Sequence, residues 1–261
     1  MTSSSLLIFM YGKTLVSACM GSRYKFVVRI LVMLLLSNVG TLLGSIADLM
    51  FFYKEDYTLK YAWMLGLAVA LQDSMFGISH WMLASKYKAI SEKVPLILNR
   101  QVPPPPATSD LVITSLLLTL NLIMPVLEMA FIVPYNNCVY VKSAESDSCE
   151  PSVVVQVGLY ISTISTGILQ VISGWCLVGS VDTIRAFFKH RKGQAFMNLR
   201  YLVLHATAFT MYLIGVLFYY TLQTWYFASP HEKFLFGSYN VIGIIEICFS
   251  FVSQMLLLCI L

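Results

Sequence analysis

Hydrophobic residues along this chain fall in long unbroken runs, and polar residues are confined to short patches between them. Six runs, near 27–52, 61–85, 111–134, 153–180, 200–226 and 237–261, are each long enough to cross a bilayer. A hydrocarbon core of ~30 Å needs about 20 helical residues at ~1.5 Å each. A seventh run at 3–20 is shorter and is interrupted by Lys13. Barrel strands would alternate every second residue, so continuous runs predict helices. The expected fold is all-α: one polytopic transmembrane bundle over residues 1–261. It has seven crossings, or six if the first run lies along the interface.

Composition agrees with the pattern. The chain is 58% hydrophobic and 11% charged, with a mean hydropathy of +0.75. Soluble domains carry roughly 25% charged residues. The distribution of charge sets the threading. Lys13, Arg23, Lys25 and Arg29 precede the first strong run; Lys86, Lys88, Lys93 and Arg100 follow the second; Arg185, Lys189, Arg191, Lys192 and Arg200 separate the fourth and fifth. These are 13 of the 17 basic residues, and alternation puts all of them on one side. That side is expected to be cytoplasmic, with the C-terminus. Seven crossings then place the N-terminus outside, a receptor-like topology, in the plasma membrane or an endomembrane.

Polar residues inside the runs are few, and they recur with helical spacing. Gly66, Ala70, Asp73, Gly77, His80 and Ala84 lie alternately four and three apart, on one helix face. Ser37, Thr41, Gly44 and Asp48 repeat the device, with Gly40 and Gly44 as a GxxxG pair. Thr114, Asn121 and Glu128 are spaced by seven, and Gly243, Glu246, Ser250 and Ser253 align on the last run. The stretch from Ser162 to Gly167 is nearly all small or hydroxylated. Small residues let helices approach, and polar groups on the same stripe are hidden from lipid. The stripes predict a central polar seam containing Asp48, Asp73, His80, Glu128, His205 and Glu246.

Ionisable groups at membrane depth are costly and often functional. The acids could bind a ligand or cation, or carry protons; they could equally tie helices together. His80 and His205 fall at similar depth near the cytoplasmic ends. An imidazole pair can ligate haem iron, but one pair supports a cofactor less well than hydrogen-bonded structural histidines, so none is expected. No metal site is read either, since neither CxxC nor HxxxH spacing occurs.

Polar segments add smaller expectations. Cys138 and Cys149 share an acidic outer loop and predict a disulfide there. The PPPP tract in LILNRQVPPPPATSD reads as a stiff polyproline II spacer, with Ser109 or Asp110 able to cap the next helix. The basic, aromatic loop 181–200 suits lipid headgroups, or else a cytoplasmic protein partner at Arg185, Lys189, Arg191 and Lys192. Nucleic acid is not an expected partner.

The segment DSMFGISHWMLASKY resembles a D-x-x-F-x-x-x-H-W-x-x-A-x-x-Y pattern, through Asp73, Phe76, His80, Trp81, Ala84 and Tyr87. This pattern occurs in uncharacterised multi-pass proteins predicted from ciliate and fungal genomes. The likeness spans about one helix. It implies a seven-helix membrane protein and brings no mechanism.

Several functions are excluded or demoted. The last two runs contain no lysine for a retinal Schiff base, and DRY, NPxxY, Walker A, HExxH and GxSxG are absent. No soluble domain is large enough to house catalysis, so an enzyme is not expected. The leading expectation is a receptor-like protein that senses or binds something from the outer side at the seam. The alternatives are a proton- or cation-coupled transporter or channel, and a structural or assembly subunit. No internal repeat favours transport.

Overall fold

Apolar runs in which every backbone group must find a partner within its own segment have one economical solution, and the chain adopts it. The computed structural model describes residues 2–20, 25–54, 59–99, 108–138, 151–188, 194–228 and 234–261. Seven α-helices cover almost all of these residues: α1 (Thr2–Met20), α2 (Lys25–Lys54), α3 (Leu59–Leu98), α4 (Thr108–Asn136), α5 (Val153–Phe188), α6 (Gln194–Ala228) and α7 (Phe234–Ile260).

Among the described residues, five stretches are long and apolar enough to cross a membrane: Lys25–Ala47, Ala62–Lys93, Leu111–Tyr135, Val153–Ala186 and Leu199–Phe218. These are the build of a multi-pass membrane protein. The described apolar stretch of α7, Ile247–Ile260, is shorter, and α1 is not one of the five.

Several helices outrun the predicted spans. α3 has 40 residues, so Lys86, Lys88 and Lys93 lie on helix and not in a loop. The predicted loop 181–200 is likewise mostly helical, because α5 continues to Phe188 and α6 begins at Gln194. Bilayer thickness limits how long a run stays apolar. It does not stop the backbone ladder, and Ala, Lys, Arg, Gln and Met keep high helix propensity in water. α4 begins at Thr108, which puts Ser109 and Asp110 inside its first turn and not ahead of it. The proline tract lies outside the described residues.

The chain forms two compact units, and α3, α4 and α5 each contribute one half to each. In the unit made of residues 1–78 and 120–166, α1 packs on α2. Ser4, Leu7, Tyr11 and Ala18 form its buried stripe, whereas Leu6, Phe9, Val16 and Met20 are exposed. α2 approaches α3 at Gly40, where a Cβ would stand 2.7 Å from the Gln72 amide nitrogen and 2.9 Å from the Ala68 carbonyl oxygen. The Ser37 hydroxyl donates to the Gln72 carbonyl at 3.0 Å beside this contact. Gly44, the second glycine of the GxxxG pair, makes only an ordinary 3.5 Å approach to Ala68. Gly66 meets Met129 and Val133, and Gly77 meets Asn121, so α3 and α4 run antiparallel along this seam.

In the unit made of residues 79–119 and 167–261, α6 and α7 pack together. α5 joins α6 at Gly174, whose Cβ position would be 2.6 Å from Leu213. Leu83, Leu177, Leu202, Phe209, Leu213 and Leu257 fill the interior. Large apolar side chains such as Leu111, Val112 and Trp175 are more than half exposed. So much contiguous apolar surface suits lipid and would drive association in water.

Candidate functional site

The stripe on α3 is buried along its whole length: Gly66, Ala70, Asp73, Gly77, His80 and Ala84 all face the interior. Asp73 is 8% exposed and His80 1%. Seven residues separate them by ~10.5 Å along the axis, too far for a direct hydrogen bond. Asn121 and Glu128 on α4 are buried as their spacing predicts, with Pro125 between them. Thr114, the third member, is only half-buried. The side chains of Asp48 and Glu246 lie outside the described residues, as do Cys149, Lys189, Arg191 and Lys192. Arg185 is exposed.

In the first unit, Glu128 is the focus. Its Oε1 accepts a hydrogen bond from the Thr163 hydroxyl of α5 at 2.6 Å. Both residues are buried. Its Oε2 is equally buried and has no hydrogen-bond partner among the described residues. The neighbouring hydroxyls on α5 are occupied within their own helix: Ser162 donates to the carbonyls of Gly158 and Leu159, and Thr166 to that of Ser162. Thr163 alone of the three reaches across. The geometry depends on Gly158, where the Phe131 ring of α4 lies 2.5 Å from the position a Cβ would take. Glu128 stands one turn along α4 from Phe131, which brings it level with Thr163.

In the second unit, the rings of His80, His205 and Phe209 form a layered group. His80 lies 3.8 Å from Phe209 at an interplanar angle of 16° and 5.5 Å from His205 at 26°. Nδ1 of His205 is 2.8 Å from the Ser253 carbonyl oxygen. A carbonyl only accepts, so Nδ1 carries the hydrogen, and the tautomer follows from that bond. The Ser253 hydroxyl lies 3.0 Å from the same nitrogen. In the neutral ring Nε2 is then a lone-pair acceptor, and it is buried without a hydrogen-bond partner. The Ser79 hydroxyl is 3.2 Å from Nδ1 of His80.

These two groups have different chemical capacities. A buried carboxylate with an unpaired oxygen is costly, so Glu128 either holds a proton or accepts from a cationic or hydrogen-bonding occupant. His205 offers one acceptor position in an apolar, aromatic setting. Among the described residues, no group of three or more His, Cys, Asp and Glu side chains is placed to hold a metal ion.

Sequence spacing singled out Glu128, His80 and Ser253, and depth singled out His205, but neither told which side chains would meet. Phe209 could have been found one turn after His205. Gly158 carries no signal until Phe131 is seen against it. Cys138 is buried at the end of α4, and the free cysteines among the described residues are Cys19, Cys176, Cys248 and Cys259.

Comparison with protein families, curated proteins and solved structures gives no match for this chain.

Proposed function

We propose that this is a seven-helix, receptor-like membrane protein that binds a proton-donating or cationic group at Glu128. The observation carrying this reading is the half-satisfied carboxyl: one oxygen is held by Thr163 and the other is buried without a hydrogen-bond partner. An acceptor so placed is fixed in orientation by its first bond and open at its second. Ligand sites commonly consist of apolar walls with a few such polar groups. α1 and α7 complete the seven crossings in this reading, with the N-terminus outside and the C-terminus in the cytoplasm. The exposed apolar stripe of α1, Leu6, Phe9, Val16 and Met20, supports lipid contact for that helix. A Cys138–Cys149 disulfide closes the outer loop after α4. The resemblance around Asp73 and His80 belongs to the same proposal.

The second reading, a proton- or cation-coupled transporter, is favoured by a specific observation. Buried acceptors occur in both units, Glu128 in one and His205 in the other. A dye-loaded liposome assay separates the readings. Wild-type protein under an imposed pH gradient is expected to pass no protons, while Glu128→Gln removes an infrared band of a buried carboxyl that shifts with external pH or organic cations. Proton flux lost in Glu128→Gln would establish transport instead. A variant indistinguishable from wild type in both measurements would leave Glu128 a structural tie and overturn both readings.

A further inference from the structure

Trp81 and Ser85, one turn apart on α3, each bury a hydrogen-bond donor with no partner among the described residues: the Trp81 indole Nε1 and the Ser85 hydroxyl. Trp81 is only 7% exposed. Side chains four apart are neighbours on a helix, with Cβ atoms ~5–6 Å from one another. Lys88 follows three residues later on the same face. Its ammonium makes a loose 3.9 Å pair with Glu92, and both side chains are more than half exposed. The ammonium also lies within electrostatic range of Cys176 on α5, a second helix of the same unit.

Along this face an N–H, an O–H and an ammonium follow in succession, the first two covered by neighbouring side chains and the third exposed. An indole nitrogen can only donate, and so can an ammonium. The matching ligand offers several acceptor oxygens, carries negative charge and tolerates an apolar wall. A hydroxyl in the middle of a helix normally bonds back to the carbonyl four residues earlier. Ser180 does so with Cys176, and Thr210 with Ala206. Ser85 does not, so its donor is held for something else.

We propose that Trp81, Ser85 and Lys88 form a phosphate-binding site at the basic end of α3, and that the phosphate is that of a lipid headgroup. Two observations favour a lipid over a soluble phosphate. The two uncharged donors are buried on a helix whose span is apolar enough for a membrane. The N-terminal half of α4, in the same unit, leaves Leu111, Val112, Ile113 and Leu116 more than half exposed, an apolar surface for acyl chains. Phosphate oxygens at membrane interfaces are the acceptors that basic and aromatic side chains meet there.

Native mass spectrometry of the full chain in detergent, titrated with phosphatidic acid, phosphatidylcholine or inorganic phosphate, tests this. Wild-type protein is expected to retain phosphatidic acid in preference to phosphatidylcholine. Trp81→Phe keeps the ring and removes the N–H, and Ser85→Ala removes the hydroxyl; each is expected to weaken retention about ten-fold, as is Lys88→Gln. Glu92→Gln removes the competing carboxylate and is expected to strengthen it. Lys93→Gln, on another face, is expected to leave it unchanged. Displacement of the lipid by inorganic phosphate would keep the phosphate site but assign it to a soluble source. Equal retention by wild type, Trp81→Phe and Ser85→Ala, with unfolding profiles matched, would overturn the proposal.

Discussion

At the scale of single residues, the telling feature is that buried polar groups here are satisfied unequally. Most hydroxyls inside the helices bond back to their own backbone: Thr41 to Ser37, Ser45 to Thr41, Thr166 to Ser162 and Thr210 to Ala206. Such bonds need no tertiary partner. Thr163 is different, because its hydroxyl meets the carboxyl of Glu128 thirty-five positions away. Thr163→Val preserves shape and leaves both oxygens of a buried carboxyl unpaired. It is expected to destabilise the protein by about 1–3 kcal/mol, while Thr163→Ser costs less than about 1 kcal/mol. Reversible unfolding of the purified protein by a denaturing detergent measures the difference. Equal stability of the valine variant and wild type would mean that Glu128 draws its support from elsewhere.

At the scale of helices, close approach depends on a few positions without side chains. Gly40 of α2 faces backbone atoms of α3, and backbone cannot yield as a flexible side chain can. Gly179 of α5 has nothing within 4 Å of its Cβ position. Both glycines lie within an apolar helix, though only Gly40 belongs to a GxxxG pair. Gly40→Ala is expected to cost about 1–3 kcal/mol by forcing α2 from α3. Gly179→Ala is expected to be neutral or to stabilise by up to about 1 kcal/mol, through the higher helix propensity of alanine. The same unfolding measurement decides it, and a neutral Gly40→Ala would mean that the two helices separate without loss. Helix ends obey different physics. α3 continues through Lys86, Lys88 and Lys93 because a helix leaving the bilayer still satisfies its backbone internally, so the hydropathy profile ends before the helix does.

At the scale of the whole molecule, the expectation to be tested is the sidedness set by 13 of 17 basic residues. Impermeant thiol labelling of intact cells, in a background without native cysteines, reads it directly. New cysteines at Val153 and Ala144 are expected to label from outside; those at Lys93 and Ala186 are expected to stay silent until the membrane is opened. Lys93 and Ala186 are exposed at the ends of their spans, so silence in intact cells followed by labelling once the membrane is opened reports sidedness. Ser91 would be a poor choice, since it is 7% exposed and would be silent on either side. Labelling at Ala186 in intact cells would reverse the threading.

The sequence by itself determined where the apolar, helical runs lie and which face of α3 is buried. These are local properties: transfer free energy adds along a run, and a face is defined by the 3.6-residue turn of one helix. It also picked out Glu128, His80 and His205 as groups that lipid would not tolerate. Only the tertiary structure decided which neighbours they meet. That Glu128 finds Thr163, or that His205 finds Ser253 and the ring of His80, depends on the tilt and rotation of whole helices. Within the first unit those are set where Gly40 meets Ala68 and Gln72, where Gly77 meets Asn121 and where Phe131 covers Gly158, and within the second where Gly174 meets Leu213. Such contacts join residues tens of positions apart, and no periodicity along one helix encodes the rotation of another. The donors of Trp81 and Ser85 show the same limit from the other side. Their spacing was legible, but that they bury without a hydrogen-bond partner became visible only once the surrounding helices were in place.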